Sequence, residues 1–200
     1  MMKKPGESNP EKHTKSWCAL PDPYPEPIVS RPNLFYATLL LEDYAGNVSE
    51  LTAINQYLHH HFMFDDQYED LAELEECIAI IEMHHLELLA ERILLLGVNP
   101  KYRTLTDNSP IFWDASYVFY GTNVCDKLAS DITAEKQAIK QYRNHHFLIE
   151  DIYIKRLLER IIKDEEYHLK LFTQAAANYC PELFRDINGS SEQDNSTTTC

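Results

Sequence analysis

Glu82-Met83-His84-His85 and Glu165-Glu166-Tyr167-His168 are two copies of a Glu-x-x-His pair within one chain of 200 residues, and their reading decides the fold. Each copy follows, by about 30 residues, a stretch that carries a Glu of its own. Those stretches match each other: Glu50-Leu-Thr-Ala53-Ile54-Asn-Gln56-Tyr57 against Glu135-Lys-Gln-Ala138-Ile139-Lys-Gln141-Tyr142. The pattern is that of a duplicated helix pair. On a helix, residues three apart differ by about 60° in direction and about 4.5 Å in height, so Glu82 with His85, and Glu165 with His168, can each grip one ion from one side.

Working outward, apolar residues at helical spacing predict four long helices, over about residues 34–63, 66–96, 123–147 and 151–179. Asn33 is placed to cap the first, and Gly97 with Pro100 beyond it ends the second. Between residues 98 and 122 the periodicity gives way to aromatic and turn-forming sequence. A connection this long suits a crossover from one end of a bundle to the other, because helices of about 45 Å cannot be joined in parallel by a short turn. The fold class expected is therefore all-α, a four-helix bundle over residues 33–180 with a long crossover between helices 2 and 3. Residues 1–32 read as an extended arm, since Pro21, Pro23, Pro25 and Pro27 fix φ and remove donors on alternate positions. Either this arm is a disordered leader, or it lies along its own bundle or a neighbouring subunit through Trp17, Tyr24 and Ile28. Residues 181–200 read as a disordered polar tail.

Composition narrows the function. Hydrophobic residues make up 44% and Gly numbers only 5, as in a helical globular domain. A formal net charge of -14 repels a phosphate backbone and favours cations as small partners, so no nucleic-acid partner is expected. No apolar stretch of about 18 residues is present to span a bilayer, and the start of the sequence lacks the apolar segment of a secretory signal. The expectation is a cytoplasmic protein, with spore or shell association as a variant. The 5 Cys are scattered and odd in number, which predicts isolated structural thiols rather than a disulfide framework.

Four carboxylates converging in a bundle core would repel one another and lose hydration at several kcal/mol per ion, so two divalent cations are expected among Glu50, Glu82, His85, Glu135, Glu165 and His168. Oxygen and nitrogen ligands without thiolate suit two iron or manganese ions. Tyr57 and Tyr142 lie seven residues after Glu50 and Glu135, about 20° away in direction, and are candidate donors to metal-bound carboxylates. The bland alternative is a pair of core tyrosines. His59-His60-His61 and His145-His146 fall at matching offsets but about 16 Å along the axis, and read as surface or helix-end histidines.

Across about residues 34–178 the chain resembles the ferritin-like di-metal carboxylate superfamily, whose bundles carry this ligand set. The stretches Tyr44-Ala-Gly-Asn-Val-Ser-Glu50-Leu-Thr-Ala, Gly97-Val98-Asn99-Pro100, Trp113-Asp-Ala-Ser-Tyr117 and Ile132-Thr-Ala-Glu135-Lys are similar to manganese catalases and their spore-coat relatives. Glu82-Met83-His84-His85 with Glu91-Arg92-Ile93-Leu94, and Asp164-Glu165-Glu166-Tyr167-His168, are similar to bacterioferritin. The resemblance implies Glu50, Glu82, His85, Glu135 and His168 as ligands in both branches, with Glu82 and Glu135 as bridges. It implies that Glu165 is a terminal ligand in the ferritin branch but a proton-transfer carboxylate in the catalase branch. Met83 stands where bacterioferritin holds haem between subunits. Next to a ligand it should point away from the site, and a packed interface Met is preferred to a haem ligand. The activity implied is a peroxide- or dioxygen-handling redox enzyme in a homo-oligomer. The alternatives are a ferroxidase or iron-binding protein, and a coat or shell protein that retains the fold.

Overall fold

The computed structural model describes residues 17–64, 67–105 and 109–184. Five helices carry the fold: α1 (Leu34–Ala45), α2 (Glu50–Phe64), α3 (Glu69–Leu95), α4 (Val124–Leu148) and α5 (Ile152–Tyr179). Short connections make hairpins of α2 with α3 and of α4 with α5, and the crossover joins the two hairpins. The architecture is the all-α bundle expected from the periodicity.

One predicted helix is two. The expected run over 34–63 stops at Gly46, whose N–H donates to the Glu42 carbonyl, and restarts at Glu50. A Cβ at Gly46 would lie 2.6 Å from the Glu42 carbonyl oxygen, so the turn uses the missing side chain. Ser49 Oγ then accepts from Thr52 N–H at 3.3 Å and starts α2. Asn33 caps α1 through Tyr36 N–H, and Gly97 ends α3 with φ of 92°.

The crossover contains a two-residue antiparallel pairing of β1 (Arg103–Thr104) with β2 (Ile111–Phe112), in the register Arg103 to Phe112, and a 3-10 turn at Ala115–Tyr117. It docks on the break in the first helix, where Trp113 Nε1 donates to Thr52 Oγ1 at 2.9 Å.

Apolar side chains form two clusters, one around Leu40, Leu89 and Leu157, the other around Ile78, Leu128 and Phe172. Between these clusters, each long helix contributes buried polar side chains. A polar layer bracketed by apolar ones is costly unless its groups are mutually satisfied.

The described part of the arm lies along its own bundle. Arg160 donates to the carbonyls of Leu20 and Asp22, and Arg92 to those of Pro25 and Glu26. Of the three expected anchors only Tyr24 turns inward; Trp17 is 53% exposed and Ile28 44%. Residues 1–16, and 185–200 of the tail, lie outside the described residues.

The expectation of isolated thiols is corrected. Cys18 pairs with Cys77, tying the arm to α3, and Cys125 with Cys180, tying the start of α4 to the end of α5. Sequence separations of 59 and 55 residues hid both pairs from any spacing rule, because only the fold brings their Cα atoms to 6.1 and 5.6 Å. Cys200 lies outside the described residues.

Candidate metal centre

Glu50 opens α2, Glu82 and His85 lie one turn apart on α3, Glu135 is on α4, and Glu165 and His168 are one turn apart on α5. None of the six is more than 3% exposed. They fall into two groups whose ligand atoms lie within 4.8 Å of one another: Glu50, Glu82, His85 and Glu165, and Glu82, Glu135, Glu165 and His168. Glu82 and Glu165 belong to both.

The distances show how they are shared. Glu82 places Oε2 2.8 Å from His85 Nδ1 and Oε1 2.9 Å from His168 Nδ1. Glu165 places Oε1 3.1 Å from His85 Nδ1 and Oε2 3.7 Å from His168 Nδ1. Each of these carboxylates thus offers one oxygen to each side. Glu50 approaches only His85, at 3.8 Å, and Glu135 only His168, at 3.9 Å. Glu165, and not the Glu135 that the resemblance implied as the second bridge, is therefore the other carboxylate that faces both imidazoles, while Glu135 stays on the His168 side.

Tyr57 donates to Glu135 at 2.6 Å, and Tyr142 donates to Glu50. The two tyrosines cross over, each holding the outer carboxylate of the other repeat. His85 Nε2 lies 3.2 Å from Asp164, whose carboxylate also accepts from Tyr24 at 2.5 Å, from the Leu20 N–H at 3.0 Å and from Arg160. Tyr24 and Asp164 are functional neighbours that the periodicity did not single out. Asp164 stands directly before the second motif's Glu, but nothing in the first motif matches it, since Ile81 holds that place. Met83 is 42% exposed on the outer side of α3, turned away from the centre.

Electrostatics express the crowding. Burial, and then the neighbouring Glu82 and Glu165, push the Glu50 and Glu135 carboxyls well above the usual range. Burial also opposes charge on Glu82, yet the adjoining His168 and His85 imidazoles outweigh it and hold that carboxyl low. The imidazoles answer in kind, and the carboxylates raise His168 to about 10 against the effect of its burial. With protons alone as counter-charges, Glu82 Oε1, Glu165 Oε1 and His168 Nδ1 meet their neighbours in ion-pair contacts that do not align as hydrogen bonds, and His168 Nε2 has no hydrogen-bond partner among the described residues. Two cations placed between the shared carboxylates would engage both oxygens and the His168 nitrogen, so the residues present fit a pair of metal ions.

A cavity of about 540 Å³ opens between α2 and α4 and reaches Glu50, Glu135, Glu165, Tyr57 and Tyr142. Small side chains such as Ala53, Ser130 and Ala134 line it, with Tyr117 and Phe119 of the crossover at one end.

The remaining histidines correct another expectation. His60 and His145 are buried, not surface residues. His60 pairs with Asp131, which also accepts from Gln56 at 2.8 Å. His145 pairs with Asp43, which accepts from Gln141 at 2.9 Å. The Gln-to-Asp-to-His arrangement occurs twice, with Gln56/His60 and Gln141/His145 at matching offsets from Glu50 and Glu135, while each Asp comes from the other repeat, Asp131 four residues before Glu135 and Asp43 seven before Glu50. The pattern could have been read from Gln56/His60 and Gln141/His145, whose spacing of four puts each pair on one face.

A four-helix bundle with a long crossover, two carboxylates shared between two imidazoles and two outer carboxylates define a ferritin-like carboxylate protein. A model of the ferritin-like domain matches residues 48–179, and the chain belongs to that family. It is 37% identical over 124 residues to a bacterioferritin of Desulfovibrio desulfuricans, a match covering 62% of this chain and 65% of that protein's length. It is 31% identical over 165 residues to a probable manganese catalase of Clostridium acetobutylicum, covering 74% of this chain and 72% of that one. Among solved structures, a manganese catalase of Anabaena superposes with a TM-score of 0.71 at 24% identity, covering 90% of this chain and 84% of that one. Among the described residues, no helix is long and apolar enough to cross a membrane.

Proposed function

We propose that the chain is a non-haem di-metal oxidoreductase, taking two iron or manganese ions, that acts on hydrogen peroxide or dioxygen. The observation that carries this reading is the sharing of Glu82 and Glu165 between His85 and His168, with buried ligand atoms left without an aligned hydrogen bond. Glu50, His85, Glu82 and Glu165 would hold one ion, and Glu135, His168, Glu82 and Glu165 the other. The metals would supply reversible one-electron chemistry, which no side chain in the centre offers by itself.

The protein's own contribution is positional. Tyr57 and Tyr142 fix the outer carboxylates by donating to them, and burial beside those carboxylates holds both phenols in the protonated, donating form. Asp164 fixes the His85 tautomer so that Nδ1 faces the carboxylates. The cavity admits small molecules to the Glu50, Glu135 and Glu165 side, while the apolar clusters above and below keep bulk water out. Likeness to a probable manganese catalase supports peroxide as substrate.

A ferroxidase activity is the second reading, favoured by one observation: Glu165 faces both imidazoles, as a ligand would, rather than standing back as a proton carrier. Loading purified protein with manganese or with iron separates the two. Oxygen evolution from peroxide supports the catalase-like reading, and dioxygen consumption on adding ferrous iron the ferroxidase one. Neither response in either metallated form would sink the enzyme proposal and favour a coat or shell protein.

A further inference from the structure

One turn past Tyr57, a second group of ligand-type side chains is enclosed by the bundle: His60 on α2, Glu75 on α3 and Asp131 on α4. All three are fully buried, and one ligand atom from each lies within 4.8 Å of the others. His60 Nδ1 is 3.0 Å from Asp131 Oδ1 and 3.9 Å from Glu75 Oε1. Its Nε2 lies 2.8 Å from the Phe119 carbonyl oxygen, which can only accept, so the ring proton resides on Nε2. A neutral His60 then turns its Nδ1 lone pair toward two carboxylates, an arrangement that is repulsive unless a cation lies between them. His85 has the same disposition in the di-metal centre, with Nε2 tied to Asp164 and Nδ1 facing carboxylates.

Glu75 is the second observation. Among the described residues neither of its buried oxygens receives a hydrogen bond from an N–H or O–H donor, and the side chain is aimed into this cluster. A proton on His60 would answer Asp131 but not Glu75, whose carboxyl faces Asp131 and is held well above the usual range by burial and by that neighbour. Lys127 acts on Glu75 electrostatically, but among the described residues no ion pair joins them. Gln56 meanwhile donates to Asp131 and fixes its orientation.

We propose that His60, Glu75 and Asp131 hold a third divalent transition-metal ion. Two carboxylates and an imidazole without thiolate suit Mn²⁺, Fe²⁺ or Zn²⁺, and three protein ligands leave room for water in the remaining positions. Asp131 is four residues from Glu135, and Glu75 seven from Glu82, which puts this ion about 6 to 10 Å along the bundle from the shared pair. Tyr57, bonded to Glu135 and one turn from His60, stands between the two places.

The test uses the full chain, stripped with a chelator and titrated with Zn²⁺, followed by counting ions per chain and anomalous diffraction at the zinc edge. Three ions per chain are expected, with one anomalous peak among His60, Glu75 and Asp131. Glu75→Gln should remove that peak and leave the two near Glu82, whereas Glu82→Ala should spare it. Should Glu75→Gln not fold, His60→Asn serves in its place, and the wild-type map decides without either. No peak in the triad at saturating zinc, which a proton shared between Glu75 and Asp131 would produce, overturns the proposal. A triad peak with none at Glu82 would instead overturn the di-metal reading alone.

Discussion

His85 and His168 occupy matching places in the two repeats, yet their outer ring nitrogens meet different surroundings. His85 Nε2 faces Asp164 and the Tyr24 hydroxyl, each at 3.2 Å, and Asp164 is braced in turn by Arg160 and the arm. Among the described residues His168 Nε2 has no hydrogen-bond partner, and the residue matching Asp164 is Ile81. Duplication supplied two equal sets of ligands, while the support behind them is one-sided. A carboxylate behind a ligating histidine fixes its tautomer and raises its basicity, so the Glu50/His85 position should hold its ion more tightly than the Glu135/His168 position.

The largest effect should come from what the halves share. Glu82→Ala removes one oxygen from each position, and we expect both ions to be lost and turnover to fall by at least about 100-fold, the scale for removing an element of electrostatic preorganisation. Glu135→Ala should cost only the ion beside His168. Metal counting on both variants checks this, and loss of both ions in Glu135→Ala would show that the sharing is wrongly assigned.

The asymmetry itself can be broken from either side. Asp164→Asn should weaken the ion at Glu50/His85 by about 10- to 100-fold and bring the halves closer to equality. Ile81→Asp should do so from the other direction, by giving His168 the partner it lacks. Competition titration against a chelator measures both. Unchanged stepwise affinities in Asp164→Asn would remove the basis for calling the halves unequal.

A third effect acts on both halves. Burial with carboxylate neighbours keeps Glu50 and Glu135 protonated beyond their usual range, and the carboxylates raise His85 and His168, the latter to about 10. All four must release protons before they can ligate, so metal affinity should rise with pH. The climb should continue between pH 6 and 9, by about tenfold per unit for each proton displaced. Isothermal titration in buffers of different ionisation enthalpy counts those protons. A flat profile would mean that the metal-free carboxylates and imidazoles are not paired as described.

Much of this was legible in the sequence because helical periodicity and local spacing carry it. The twin Glu-x-x-His pairs, the lone Glu50 and Glu135 and the crossover all follow from residues within one helix turn of one another or from a break in the pattern. What stayed hidden depends on contacts between distant residues. Glu165 rather than Glu135 faces both imidazoles, a matter of helix packing that no spacing encodes. The Cys18–Cys77 and Cys125–Cys180 pairs and the burial of His60 and His145 are likewise products of helix packing. Gly46 and Ser49 did signal the break before Glu50, but the apolar stripe on either side masked it.

The smallest effect should come from the arm. Tyr24→Phe removes one donor to Asp164 and the contact with His85 Nε2, while Arg160 and the Leu20 N–H still brace the carboxylate. One hydrogen bond to a charged acceptor among several contributes about 1 kcal/mol net, so the Glu50/His85 ion should be held roughly fivefold less tightly. The arm should stay in place, because Cys18–Cys77 and the bonds from Arg92 and Arg160 to its carbonyls do not involve the hydroxyl. The measurement is therefore a pair: chelator competition for affinity, and thermal unfolding for the fold, with the first altered and the second within a few degrees of wild type. A loss as large as that of Asp164→Asn would mean that Tyr24, and not Asp164, orients His85. No loss at all would mean that the arm merely covers the centre, and that the difference between the halves resides wholly in α5.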